Sequence, residues 1–223
     1  MPDAVYVTAE YIKVCYFAKP EKYGASRTCV RVDKGLLICY CYSMAVNTWF
    51  EDSRKQVRLI FDDDFDVFCK LLAGMSPIST LESNVAEAIK AYRQIKWYGS
   101  LIRNTFIYSR YSVTNKLLNN QSTTRKVQAM YQNLVGNENV IAIDRWLLRY
   151  FGYTEAMIIR GIYKNSDYDK LEDIIKYEAE KLSVTPAQRQ VQIWCAMRKD
   201  DTSYGDVLKK KEISKQNILN RLL

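Results

Sequence analysis

Histidine is missing from this chain altogether. Its absence excludes imidazole acid–base chemistry, the Ser-His-Asp and Cys-His nucleophile systems and nearly every transition-metal catalytic site. Any catalysis must run on Asp, Glu, Lys, Tyr or a cofactor. Glycine (8) and proline (4) are scarce among 223 residues, and no Gly/Ser linker, internal repeat or low-complexity segment breaks the chain. No apolar run approaches the ~20 residues that span a bilayer. The N-terminus, "MPDAVYVTAEYIK", lacks a basic region followed by a long apolar core. The expectation is a soluble, cytoplasmic protein without membrane contact. Six cysteines (15, 29, 39, 41, 69 and 195) form no CxxC pair. Free buried thiols in a reducing compartment fit that spacing better than a zinc or iron–sulfur site, so neither metal nor cofactor is expected.

Acidic residues are missing from one long stretch. Between Ala88 and Asn137 there is no Asp or Glu, while eight basic residues occur: Lys90, Arg93, Lys96, Arg103, Arg110, Lys116, Arg125 and Lys126. The net charge of the whole chain is +8, so the surplus of this window equals that of the protein. Tyr92, Trp97, Tyr98, Phe106, Tyr108, Tyr111 and Tyr131 are interleaved with it, as is the polar run "NNQSTTRK". Basic side chains among aromatics and small hydroxyl or amide residues suit a phosphate backbone and stacked bases. A solvated basic face with tyrosines in the core is the plainer account of the same residues. An anionic membrane surface fits less well, because no segment reads as a clean basic amphipathic helix.

What is present is mostly helical. In the first 60 residues, 4–17 and 36–50 fit strands or buried helices equally, "TCVRVDKG" (28–35) alternates like a strand, and "RKQVRLIF" reads as another. From Asp62 onward helical signals take over. "DDDFDVFCKLLAG" places acids at a helix start and Gly74 at its stop; Asp62, Asp63, Asp64 and Asp66 are better explained by the helix dipole than by a cation. "TLESNVAEAIKAYRQI" reads as an amphipathic helix capped by Ser79 or Thr80. Further helices are expected over 123–135, 144–151, 154–163, 167–182 and 185–199, the last opened by Thr185 and Pro186, with a Lys-rich tail at 207–221. The division is an N-terminal segment, 1–60, packed on a helical domain, 61–223.

One carboxylate stands out. In "NENVIAIDRWLLRYFG" an apolar run stops at Asp144, where a helix begins, just beyond the acid-free window. As an N-cap, Asp144 would accept backbone N–H bonds worth ~1 kcal/mol. Desolvated by Val140, Ile141, Ile143 and Trp146, it would also carry a charge that matters chemically. Without histidine, a carboxylate beside DNA suits cleavage of an N-glycosidic bond: it stabilises the oxocarbenium-like sugar and orients water. Lys126, 18 residues earlier, reads either as a phosphate contact or, with a lowered pKa, as an amine nucleophile at the sugar C1′.

"IDRWLLR" resembles the segment of helix-hairpin-helix DNA glycosylases, the endonuclease-III type superfamily, in which an apolar residue precedes an essential Asp and an Arg follows. Here those are Ile143, Asp144 and Arg149, with Lys126 at the distance of the catalytic lysine of bifunctional members. The family's Gly-hydrophobic-Gly hairpin is replaced by Ser122–Thr124, and its C-terminal iron–sulfur cysteines are absent. The chain is more similar still to small glycosylase-like proteins of phages and prokaryotic mobile or defence regions. It shares with them Leu72, Ala73, Ser76, Pro77 and Asn84; then Lys126, Tyr131, Leu134, Gly136, Val140, Asp144, Trp146 and Arg149; then Thr185, Pro186, Gln190, Trp194 and Arg198.

The resemblance implies a mainly α, helix-hairpin-helix glycosylase-like domain with a less regular N-terminal segment that has room for short strands. It implies a monomeric, monofunctional DNA glycosylase that flips a modified pyrimidine from double-stranded DNA and excises it, such as a glycosylated hydroxymethylcytosine met in antiphage defence. Asp144 and Lys126 would be catalytic; Arg103, Arg110, Lys116, Arg125 and Arg149 would bind DNA. Trp97, Tyr98, Tyr108, Tyr111 and Trp146 would form the base pocket or intercalate. A DNA-binding module without chemistry and a base-modifying transferase on the same fold are the alternatives.

Overall fold

The computed structural model describes residues 28–32, 36–40, 48–77, 79–160, 165–211, 213–214 and 217–218. The apolar stretch 4–17 and most of the lysine-rich tail beyond 211 lie outside them. The first described unit is an antiparallel hairpin of β1 (Thr28–Val32) and β2 (Leu36–Tyr40), with Val30 opposite Ile38. The alternation of "TCVRV" is thus a strand. "RKQVRLIF" is not: it forms the second half of helix α1 (Trp49–Phe61), whose buried residues Trp49, Phe50, Ser53, Val57, Ile60 and Phe61 recur at helical spacing. Mixed apolar and basic residues over eight positions match both periods, and the contacts of Trp49 and Phe50 upstream decide for the helix.

After a 3-10 turn at Asp62–Asp64, α2 (Phe65–Met75) is the central helix, buried from Phe68 to Met75. α3 (Leu81–Tyr98), α4 (Tyr108–Leu118) and α5 (Arg125–Val135) pack around it. α6 (Arg145–Tyr150), α7 (Glu155–Ile159), α8 (Asn165–Leu182), α9 (Pro186–Arg198) and α10 (Tyr204–Lys210) complete the described helices. The protein is mainly helical, and no described helix is long and apolar enough to cross a membrane. The start of α3 is capped by Thr80, whose hydroxyl accepts from Ser83 N, and α9 opens with a capping box between Thr185 and Gln188.

The aspartates at the start of α2 act as tethers. Asp64 accepts from the Tyr92 hydroxyl at 2.6 Å and Lys96 at 2.7 Å, and Asp66 accepts from Tyr131 and Lys70. No cluster of metal-ligating residues occurs among the described residues, and the described cysteine side chains, Cys69 and Cys195, are free and buried.

Gly74 does not end its helix. It lies inside α2 against α4, and a Cβ there would sit 2.3 Å from Thr114 Oγ1 and 2.8 Å from Thr114 Cα. Hydrogen is all that fits. Gly74→Ala is expected to cost the upper part of the ~1–3 kcal/mol range for overpacking, read as a lowered denaturation midpoint. Adding Thr114→Ala should restore only part of it, because the backbone Cα stays in place.

Two hydrophobic clusters result. The larger surrounds α2; the smaller holds Ile141, Ile143, Leu147, Leu148, Tyr168, Leu171, Ile175 and Ile193, from α6, α8, α9 and the segment before α6. Ala142 belongs to the first and its neighbours Ile141 and Ile143 to the second, so the chain crosses the seam immediately before Asp144.

Candidate active site

Asp144 is the N-cap of α6. Its backbone is extended (φ −113°, ψ −175°), and Oδ1 accepts from Trp146 N at 2.8 Å and Leu147 N at 3.1 Å. Its other oxygen accepts no hydrogen bond among the described residues. One oxygen fixes the side chain and the other is uncommitted.

The segment leading to Asp144 is clamped although it has no regular structure. Ala142 N donates to Gln190 Oε1 at 2.6 Å, and Ile143 N donates to the Tyr168 hydroxyl at 3.0 Å, which itself donates to Ile141 O at 3.0 Å. Upstream, Glu138 accepts from Arg54 at 2.7 Å and from Thr185 Oγ1 at 2.8 Å, while its carbonyl accepts from Ala187 N. α8 and α9 therefore hold the carboxylate in position. Tyr168→Phe would leave the buried Ile143 N–H without an acceptor. The expected cost is ~1–3 kcal/mol of stability, measurable by denaturant titration.

Lys126, the second residue of α5, comes into electrostatic range of Asp144. The two do not form a close ion pair, and Lys126 makes no hydrogen bond among the described residues. Burial lowers the Lys126 pKa; the Asp144 charge opposes that shift and the Arg145 charge adds to it. Burial likewise raises the Asp144 pKa, against the pull of Lys126, the two backbone N–H donors and Arg145. Each group is thus less readily ionised than in water, and each supports the charge of the other.

Tyr168 and Tyr204 complete the surroundings. Burial pushes the Tyr168 hydroxyl up to about 12, and the fully buried Tyr204 hydroxyl also feels the Asp144 and Arg198 charges. Tyr204 accepts from Asn84, which also donates to Leu72 O at 3.1 Å. Distant parts of the chain meet here.

The remaining candidate residues scatter. Arg149 binds Glu155 at 2.5 Å and covers the Trp146 ring, its guanidinium 4.4 Å from the ring centre. Arg125 binds Asp169 at 2.6 Å and Glu172 at 3.3 Å and lies over Tyr168, so it ties α5 to α8. Arg110, expected on a DNA face, is buried and donates to Pro77 O at 2.9 Å; its packing under the loop after α2 overrides its charge. Tyr111 is partly buried and packs against the larger core. Arg103 and Lys116 are exposed without an acidic partner among the described residues.

Trp97, Tyr98 and Tyr108 are exposed. With Ile102 and Ile107 they form an exposed stretch that holds five of the eight large exposed hydrophobic side chains described. Gln94 pins this stretch by accepting from Ile102 N and donating to Thr105 Oγ1, both at 2.8 Å, and Lys90 donates to Thr105 O.

A family model covers residues 42–201, from before α1 to just beyond α9. The chain belongs to DUF7178, a family of unknown function. The matched span of the DUF7178 chain contains Lys126, Asp144, Tyr168 and Gln190. No curated protein and no solved structure matches it. Sequence reasoning had named Gln190 only as part of a spacing pattern and missed Tyr168 and Tyr204. A tyrosine that grips backbone 25 residues upstream leaves no local signal.

Proposed function

We propose that the chain is a DNA glycosylase of the helix-hairpin-helix type that flips a modified pyrimidine out of double-stranded DNA and cleaves its glycosidic bond, a chemistry suited to defence against phages with modified DNA. The observation that carries this reading is that Asp144 and Lys126 lie within electrostatic range of each other beside the seam between the two hydrophobic clusters. A glycosidic bond breaks through a cationic sugar, and a held carboxylate with one uncommitted oxygen stabilises that cation and aligns the attacking water. The loop-linked pair α4 and α5, followed by an extended crossing to a capped Asp, is compatible with that reading.

Burial supplies the rest. Half-buried, the Asp144 charge acts on the sugar with less screening than it would have in open water. Arg103 and Lys116 offer phosphate contacts that confer affinity without sequence. The pinned, exposed stretch around Trp97, Tyr98, Ile102 and Tyr108 is suited to fill the space a flipped base leaves, at a cost of a few kcal/mol for unstacking. Incubation with hydroxymethylated, glucosylated and unmodified duplexes, followed by alkaline strand cleavage, tests the reading.

The lowered Lys126 pKa favours a second reading, in which the neutral amine attacks C1′, displaces the base and forms a Schiff base. Borohydride trapping separates the two: a covalent protein–DNA adduct means a nucleophilic Lys126, and its absence means that water attacks.

The coupling has a pH signature. Because Lys126 lowers the Asp144 pKa and burial raises it, Lys126→Met leaves burial unopposed by that charge. The pH at which base release turns on as Asp144 ionises should move upward in the variant, as read from a rate–pH profile.

A further inference from the structure

The loop joining α4 to α5 borders a half-open cavity that takes no part in the chemistry above. It measures about 330 Å³ and is lined by Lys70, Leu117, Asn120, Ser122, Gln128 and Tyr131, among others. That volume lies at the lower end of the ~300–1,000 Å³ range of small-molecule sites, room for one heterocycle. The loop above it is built. Asn120 adopts a left-handed backbone (φ +55°) that asparagine tolerates, its N–H bonds Leu117 O at 3.0 Å, and Gln121 N bonds Lys116 O at 2.8 Å.

Charge in the cavity wall is already balanced. Lys70 Nζ lies 2.8 Å from Asp66 Oδ2 and donates to Asn120 Oδ1 at 2.8 Å, and the Tyr131 hydroxyl donates to Asp66. A phosphate drawn to Lys70 would meet the Asp66 charge beside it, so the wall is poorly matched to an anion. What it offers is neutral hydrogen-bonding capacity. The Gln128 amide and the Ser122 hydroxyl make no hydrogen bond among the described residues, and Asn120 has committed its oxygen and kept its NH2. Side-chain amides pair two-fold with the neighbouring donor and acceptor on a base edge, and Leu117 and Tyr131 give the apolar and aromatic wall such a ring needs.

We propose that this cavity is a second site, which receives one unstacked nucleobase read by the Asn120 and Gln128 amides and the Ser122 hydroxyl. The proposal rests on the reading of the chain as a DNA-binding protein and not on glycosidic cleavage. The base is either one of the bound strand or that of a free nucleoside.

The test uses the full chain carrying Asp144→Asn, so that no base is turned over. It is titrated with the four deoxynucleosides, with a short single strand containing one 2-aminopurine, and with inorganic phosphate, while the amide resonances of residues 117–131 are followed. The expected result is that a nucleoside or the 2-aminopurine strand shifts these resonances, that Gln128→Leu and Ser122→Ala each weaken binding, Gln128→Leu by ~10-fold or more, and that phosphate leaves them unmoved. Binding by the strand alone assigns the base to bound DNA; binding by nucleosides as well assigns a free ligand. Phosphate shifting the loop while nucleosides and strand do not, binding indifferent to both substitutions, or no binding at all overturns the proposal. If nucleosides bind but the wild-type protein releases no base, cleavage fails and this site stands. If Gln128→Leu releases base at the wild-type rate and no ligand binds the loop, this site fails alone.

Discussion

Asp144→Asn is expected to fold with at least wild-type stability, bind DNA, and lose ~10³-fold or more of base release. Asparagine keeps the oxygen that accepts from Trp146 N and Leu147 N, so the cap of α6 survives. The carboxyl has its pKa raised by burial above its unfolded value. Such a group favours the folded state at pH below its unfolded pKa, and that contribution is lost as pH rises through the folded pKa. At neutral pH an uncharged amide therefore matches or exceeds the carboxylate in stability, while it no longer balances a cationic sugar. Asp144→Ala is the control: it should lose the cap and ~1 kcal/mol of stability with the activity. Thermal melts, salt-dependent DNA binding and base release, measured on all three proteins, separate capping from catalysis.

The largest expected loss of stability lies behind the site. Arg189 on α9 and Glu178 on α8 form a buried ion pair, with Nη2 to Oε2 at 2.6 Å and Nε to Oε2 at 2.7 Å, and both contact the Tyr150 hydroxyl of α6. Their side chains are only 4% and 10% exposed, so loss of either leaves an uncompensated charge that water cannot reach. Arg189→Met is expected to cost ~3–5 kcal/mol, or roughly 6–20 °C in Tm for a chain of this size. Arg189→Met with Glu178→Leu should recover most of that loss, because two packed apolar side chains need no counter-charge. The single variant should also lose base release, since α8 and α9 supply Tyr168 and Gln190, which hold the approach to Asp144.

Local chemistry was legible in the sequence and remote packing was not. The caps at Thr80, Asp144 and Thr185 were readable because a cap is set by the residue and the next three positions. Gly74 was misread as a stop because nothing nearby reveals that Thr114, 40 residues on, presses against it. The basic window pointed to a charged face, yet Arg110 is buried under a loop, and Lys96 and Arg125 are paired with Asp64 and Asp169 from outside the window. Counting charges along a chain cannot see partners across the fold. The spacing of Lys126 and Asp144 was visible, whereas the burial that shifts both pKa values depends on how the two clusters meet.

What the wild-type protein does to a modified base decides whether it is a glycosylase. Duplexes carrying hydroxymethylated or glucosylated pyrimidines should be incubated with the full chain and both the released bases and the remaining nucleosides weighed by mass spectrometry. Free modified base, with an equal number of abasic sites and unmodified duplex untouched, is the predicted result. A heavier nucleoside still attached to its sugar, or DNA bound with no base released from any duplex, would contradict it.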